Sequence, residues 1–509
     1  MTVLPKNAIM KKTICLVLSL VLLFLLVSCS AQNSGDNNPD GSPDSTGNDS
    51  GTPANDGTTI YYVPDDLPDT INYNGEKVVF LTLADSLFRY DVLTDELNSE
   101  PVNDSVFNRE RFVEERLGVD ITDEKVSGND FLTKVNIQNS SNDDTYQIYA
   151  ESTVWFASTV FDGYLTDLYE LDYIDFSKPW WSELFNNEAE LGGRLFMTTG
   201  SLSLSTNRFL YTFYYNKKLA EDYSNSYPDL SNLYNIVFDG KWTFDLLSSL
   251  ASEIYEDLDG DSVRGDDDLY GFGCHSDVIS DGMWSGFDVR MLGRDEDGWL
   301  TPEVNEEKLF KAFEMLSNFM HNTKGVSCYN NYDTSDYEVR FAAGELLFFE
   351  GKLNSAESAS LRNMQDEYGL LPYPKFDDKQ KEYYSYAHDQ YVSFSIPATN
   401  RDPDMSAAVL EAMASYSYRE TLPTYLDLAL KGKYMNDASS RKMVDLIVRG
   451  FRVDAGWIYA LSTGGLGDTF RGAVWENSSQ FASDFTKALQ KAKVTTKEIK
   501  NKYSKMWES

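Results

Sequence analysis

The chain has 509 residues, and its 81 Asp and Glu outnumber 44 Lys and Arg to leave a formal net charge of −37. A surface this acidic repels phosphate backbones and anionic headgroups, which argues against nucleic acid as a partner and leaves solubility as the plain account of the charge. At 42% hydrophobic and 14% aromatic residues, the chain carries enough apolar surface for more than one core.

In chain order, Lys11-Lys12 precede an apolar run from Ile14 to Val27 that ends in Leu26-Val27-Ser28-Cys29. A positive start, an apolar core of this length and small residues before a cleavage point make a secretory signal. The run is shorter than the ~20 residues that span a bilayer. A cysteine directly after Leu-Val-Ser resembles the lipobox at which bacterial lipoproteins are cut and acylated. The expectation is a signal peptide over 1–28 and a lipidated Cys29, whose acyl chains give stable membrane attachment. A linker follows through residue 59, made of Asn, Asp, Gly, Ser, Pro and Thr that cannot bury enough surface to fold.

From residue 60 the pattern changes. Val78 to Leu83 is a β-rich apolar run; Val106, Val113 and Leu117 then share one helical face that Gly118 stops. Val119 to Thr122, a helical segment near Asp130 to Asn139 and a strand-like run from Tyr146 to Ala150 continue the alternation. Strands alternating with helices predict a parallel α/β sheet, with ligand at the carboxyl ends of the strands. Glu151 to Trp155 lies at such an end. Phe213 to Lys217 reads as a strand entering a helix, Thr243 caps a helix bearing Leu247, Leu250 and Ile254, and Leu309, Phe313, Leu316 and Met320 form one stripe. Leu346 to Phe349 and Tyr391 to Ile396 are strand-like, and the remainder is mostly helical.

With Cys15 in the signal and Cys29 lipidated, only Cys274 and Cys328 remain to pair. Export permits a disulfide, but two cysteines in a large domain are no disulfide framework, so their state stays open. His275, His321 and His388 are scattered singly and read as surface or hydrogen-bonded core residues, not a zinc site. No Ser-His-Asp order, HExxH or Gly-rich phosphate loop is present. Missing motifs are weak evidence, and paired carboxylates in so acidic a chain leave a glycosidase open.

Several passages follow one another in a telling order: Asp162-Gly163-Tyr164-Leu165-Thr166-Asp167-Leu168, Asp175 to Trp181, Tyr214-Tyr215-Asn216-Lys217-Lys218-Leu219, and Asp239-Gly240-Lys241-Trp242-Thr243. Tyr270-Gly271-Phe272-Gly273, Phe341-Ala342-Ala343-Gly344 and Gly369 to Lys375 complete them. Behind a lipobox, this series resembles extracellular solute-binding proteins of the sugar-binding type (family 1), the lipoprotein receptors of bacterial ABC importers. The resemblance implies two α/β lobes of periplasmic-binding-protein type, joined by a multi-crossing hinge, with ligand held in the cleft between them. Mapped onto this chain, lobe 1 is expected over 60–200 and 344–398 and lobe 2 over 201–343 and 399–509, with crossings near 201–208, 341–349 and 397–401. The implied function is capture of a carbohydrate, an oligosaccharide in particular, for uptake through importer permeases, by a non-enzyme that requires no cofactor. The receptor is expected to be monomeric and lipid-anchored on the extracellular face of the cell membrane. A peptide receptor on the same scaffold and a surface glycoside hydrolase are the alternatives.

A sugar offers apolar ring faces edged with hydroxyls, so its site needs aromatic plates beside carboxylates or amides. The candidates are Glu151 and Trp155 at the third strand's end, Trp284 and Asp288, Glu350, and Asp454 with Trp457. Trp180-Trp181 is read as packing. Separately, Asp257, Asp259, Asp261 and Asp268 occupy positions one, three, five and twelve of a loop and approximate the oxygen shell of calcium. Ser262 stands where such loops carry Gly, and the last ligand is Asp instead of Glu. The other reading is an acidic turn bonded to its own amides.

Overall fold

The structure is a computed structural model that describes residues 63–329, 335–431 and 437–507; the expected signal, Cys29 and the linker lie outside them. In chain order come β1 (Glu76–Leu83), α1 (Pro101–Leu117), β2 (Val119–Val126), α2 (Gly128–Ser141), β3 (Ile148–Ser152), α3 (Thr153–Phe156), α4 (Leu204–Arg208) and β4 (Tyr211–Asn216). Next are α5 (Phe244–Ala251), β5 (Leu269–His275), α6 (Ser276–Gly286), α7 (Glu306–Asn322), β6 (Val326–Tyr329), α8 (Ser335–Ala342), β7 (Leu346–Lys352), β8 (Tyr368–Leu371) and β9 (Val392–Ser395). The closing helices include α9 (Pro403–Tyr416), α10 (Ala438–Arg449), α11 (Ala455–Ile458), α12 (Ala460–Thr463), α13 (Leu466–Glu476) and α14 (Phe481–Trp507).

Two sheets organise the chain. The first has the order β9-β3-β1-β2, with β1 parallel to both β2 and β3 and β9 antiparallel to β3. The second runs β8-β4-β7-β5; β7 lies parallel to β5, and β4 antiparallel to both β7 and β8. Beyond β5, the short strand Tyr255–Glu256 pairs with its beginning and β6 with its end.

Local chemistry accounts for the elements around the first sheet. The Glu100 carboxylate accepts from the Asn103 amide and Pro101 opens α1, while Gly118 ends it at φ 63°. That conformation favours glycine, and a Cβ there would stand 2.5 Å from the Asn72 side chain. Val106, Val113 and Leu117 are buried on one face, each contributing roughly 1.5–3 kcal/mol. In α2 the Ser127 hydroxyl caps by accepting from the Asp130 amide.

The second sheet corrects the expected division. Residues 346–371 do not return to the first lobe: β7 and β8 pair with β4, and β7 with β5. Only β9 goes back, to β3. Residues 403–431 pack on α1 of the first lobe, whereas α10 packs on β8 of the second. The crossings thus lie at 208–211 and between β8 and β9, and the segments 341–349 and 397–401 stay within a lobe. Flat hydrophobic runs show that a strand is buried without showing which sheet receives it.

The strand β5 was hidden in sequence by its glycines. A Cβ on Gly271 would stand 2.2 Å from the Ala251 carbonyl oxygen, and one on Gly273 would stand 2.6 Å from Leu346 Cδ1. These glycines let α5 and β7 approach the strand closely, which breaks the apolar pattern that sequence reading relies on. Among the described residues, no helix is long and apolar enough to cross a membrane.

Candidate functional site

The carboxyl ends of β3, β5 and β7 converge on one cavity of about 440 Å³ between the lobes. The first lobe supplies Val154 and Trp155 from α3 and the segment His388-Asp389-Gln390 that leads into β9. Its shape follows from the backbone: the Thr153 amide donates to the Tyr391 carbonyl at 2.9 Å and the Val154 amide to that of Asp389 at 3.3 Å. Trp155 is left 53% exposed, a large aromatic plate facing an open cleft. The second lobe answers with Tyr211, His275 and Lys352 at strand ends, and with Asp281, Asp468 and Arg471 on helices.

The floor is an aromatic and ionic stack. The Arg471 guanidinium lies over the Trp457 ring, 5.3 Å from its centre, and donates from Nε to Asp281 Oδ1 at 3.0 Å and from Nη1 to Asp468 Oδ1 at 3.0 Å. Burial opposes the charge, but Asp281 outweighs it and raises Arg471 above its ordinary value. Beneath Arg471, Trp457 meets Trp284 edge-on at 6.4 Å and Tyr386 at 5.6 Å. Gly467 makes room for this, since a Cβ there would come within 2.5 Å of the indole.

The expected ligand residues scatter. Trp155 and Trp457 both line the cleft, but Trp457 is only 2% exposed and its face is taken by Arg471, so it serves as floor and not as a stacking plate. Trp284 is buried below it against Phe470 at 4.8 Å. Asp288 lies at a separate surface groove with Lys308 and Phe376. Asp454 caps α11, accepting from the amides of Gly456 and Met291, and burial pushes its carboxyl up to about 7. Glu350 is buried within β7. Glu151 is buried in β3 and accepts from the Ser152 amide at 2.8 Å; burial pushes it up to about 8. None of these three carboxylates is among the residues that line the cleft. Trp180 and Trp181 are buried, and the Trp181 indole donates to Glu411 at 2.8 Å.

Sequence reading missed the polar lining. Lys352 closes β7 three residues past the expected strand end at Phe349, and His275 closes β5, the strand that its glycines hid. No local signal joins Asp281 to Arg471, which lie 190 positions apart. His321 is hydrogen-bonded to the Val474 carbonyl, whereas His275 and His388 belong to the cleft.

In the acidic loop, Asp257, Asp259 and Asp261 are exposed and bring carboxylate oxygens within 4.8 Å of one another. Asp268 stands outside that group. It is buried and accepts from the Leu258 and Gly265 amides and the Tyr255 hydroxyl, and the Gly265 amide heads the causes that lower its pKa. The expected fourth ligand is thus committed to the loop's own backbone.

No family model matches the chain, and no curated protein matches it. Solved structures do. A galacto-N-biose-/lacto-N-biose I-binding protein of an ABC transporter from Bifidobacterium longum, in complex with lacto-N-biose, aligns at TM-score 0.53 and 11% identity over 84% of this chain and 98% of its own. A cyclo/maltodextrin-binding protein complexed with maltotetraose gives 0.52 and 11% over 84% and 97%. A maltose/maltodextrin-binding domain from Bdellovibrio bacteriovorus, bound to maltotriose, gives 0.50 and 12% over 83% and 99%. Near-complete coverage of each neighbour, with two sheets and a cleft at their strand ends, establishes that this chain has the two-lobed periplasmic-binding-protein-like fold.

Proposed function

We propose that this protein is a solute-binding receptor that captures an oligosaccharide in its inter-lobe cleft for uptake by an ABC importer. It works as a monomer held by a lipidated Cys29 on the outer face of a bacterial cell membrane. The observation that carries the reading is Trp155, a half-exposed indole at the end of β3 that faces the inter-lobe cavity. A sugar ring stacks on such a plate while its hydroxyls bond to Asp389, Gln390 and Asp468 around it. The charges lining the cleft are mixed, with Lys352 and Arg471 beside the carboxylates, which suits a neutral ligand. The sugar-bound neighbours of the same fold support the same class of solute. Closure of the lobes about the crossings would trap the ligand.

A thermal-shift screen of oligosaccharides and peptides tests this, because a ligand that binds only the native state raises Tm. A sugar that raises Tm, binds with modest salt dependence and is recovered unchanged is the expected result. Binding of peptides alone with steep salt dependence overturns the sugar reading, and turnover of the sugar overturns the receptor reading. We propose also that Asp257, Asp259 and Asp261 hold a structural calcium ion: each accepts from loop amides, those of Gly260 and Ser262, Asp261, and Val263 in turn, and their exposed carboxylates still converge as hard oxygen donors.

A further inference from the structure

Cys274 on β5 and Cys328 on β6 stand directly opposite each other in a parallel pair, with their Sγ atoms 2.7 Å apart. Less than about 1 Å of approach brings them to the ~2.05 Å of an S–S bond. Cys274 is buried and Cys328 partly exposed. We infer that the two cysteines form a disulfide that clamps the wall of the cleft.

The position gives the bond its role. β6 flanks only the last part of β5, in register over four residues from Phe272↔Val326 to His275↔Tyr329. The residue after Cys274 is His275, which lines the cleft. A covalent tie at Cys274 therefore fixes the strand end that presents a cleft residue. A second anchor acts on the same pair of strands: Arg340 donates to the Ser327 hydroxyl on β6 at 3.0 Å and to the carbonyl of Asp268, just before β5, at 3.0 Å. The cysteines are 54 positions apart, so closing that loop also removes conformational freedom from the unfolded chain.

The chemistry is thiol–disulfide exchange with a small disulfide such as oxidised glutathione. The partly exposed Cys328 attacks as thiolate, forms a mixed disulfide and releases one small thiol. The Cys274 thiolate then displaces the second. Two protein thiols and one small disulfide become one protein disulfide and two small thiols, and the two protons lost by the cysteines end on the released thiols.

The test is peptide mapping of the full chain, incubated natively with oxidised glutathione and then alkylated in denaturant. The expected result is a cross-linked pair of peptides containing Cys274 and Cys328, lighter than the free peptides by two hydrogens. Reduction should lower Tm by a few degrees, and a Cys274→Ala/Cys328→Ala variant should show the lower Tm with no response to reductant. Recovery of both cysteines alkylated after native oxidation overturns the bond. A cross-linked pair whose reduction leaves Tm unchanged overturns the clamp.

Discussion

Arg208 and Glu357 form a two-pronged ion pair at the first crossing between the lobes, with Nε donating to Oε1 at 3.1 Å and Nη2 to Oε2 at 3.0 Å. Arg208 ends α4, and Glu357 closes the turn that follows β7. The same guanidinium donates from Nη1 to the Leu87 carbonyl at 2.6 Å, and Arg89 reaches Glu357 at 3.2 Å. Phe88 and Phe209 meet edge-on beside them at 6.0 Å. A turn of the first lobe and a turn of the second are thus fastened to one buried arginine.

Breaking that fastening should destabilise the whole folded part. Arg208→Ala leaves Glu357 with only the half-exposed Arg89, and a loss of about 3–5 kcal/mol is expected in urea unfolding. Arg208→Lys should recover only part of it, because an ammonium cannot make the planar fork.

The two cleft tryptophans should behave differently. Trp155→Ala is expected to weaken sugar binding at least tenfold with Tm nearly unchanged, since the side chain is half exposed. Trp457→Ala removes a buried ring that supports Arg471, and should cost about 3–5 kcal/mol of stability. Calorimetric titration and thermal melts of the two variants separate plate from floor.

Glu151 should make stability fall with rising pH. Its carboxyl is pushed by burial from 4.5 up to about 8, so between these values the folded state binds the proton that the unfolded state has released. The sign follows: stability is retained near pH 5 and lost as pH rises toward 8. Glu151→Gln should raise Tm at pH 8 and leave it unchanged at pH 5. Equal Tm shifts at the two values would count against the buried acid.

Calcium should raise Tm and a chelator lower it, with Asp259→Ala removing the response. Asp268→Ala should lower Tm with or without calcium, because its acceptor role serves the loop amides. Melting curves at several calcium concentrations distinguish these two roles.

Much of the fold was legible in sequence because it is written in local terms. Val106, Val113 and Leu117 at helical spacing, the stop at Gly118 and the cap at Thr243 all became helix features where expected, the last by accepting from the Leu246 amide. The cleft at the end of β3 was legible for the same reason, since the strand and the residues just past it are neighbours in the chain. Trp155 emerged there. Trp457 did not declare itself as floor, because what covers it is Arg471, held by Asp281 from a distant helix.

What the sequence by itself determined is many of the secondary elements, β5 and β6 excepted, their amphipathic faces and the alternation that makes an α/β protein, all fixed by interactions a few residues long. The tertiary structure alone decided that β7 and β8 join the second sheet, that Asp454 is a cap while His275 and His388 line the cleft, and that Cys274 faces Cys328. Those outcomes depend on strand register and on which buried surfaces meet, and pairings across such separations leave no periodicity in the chain.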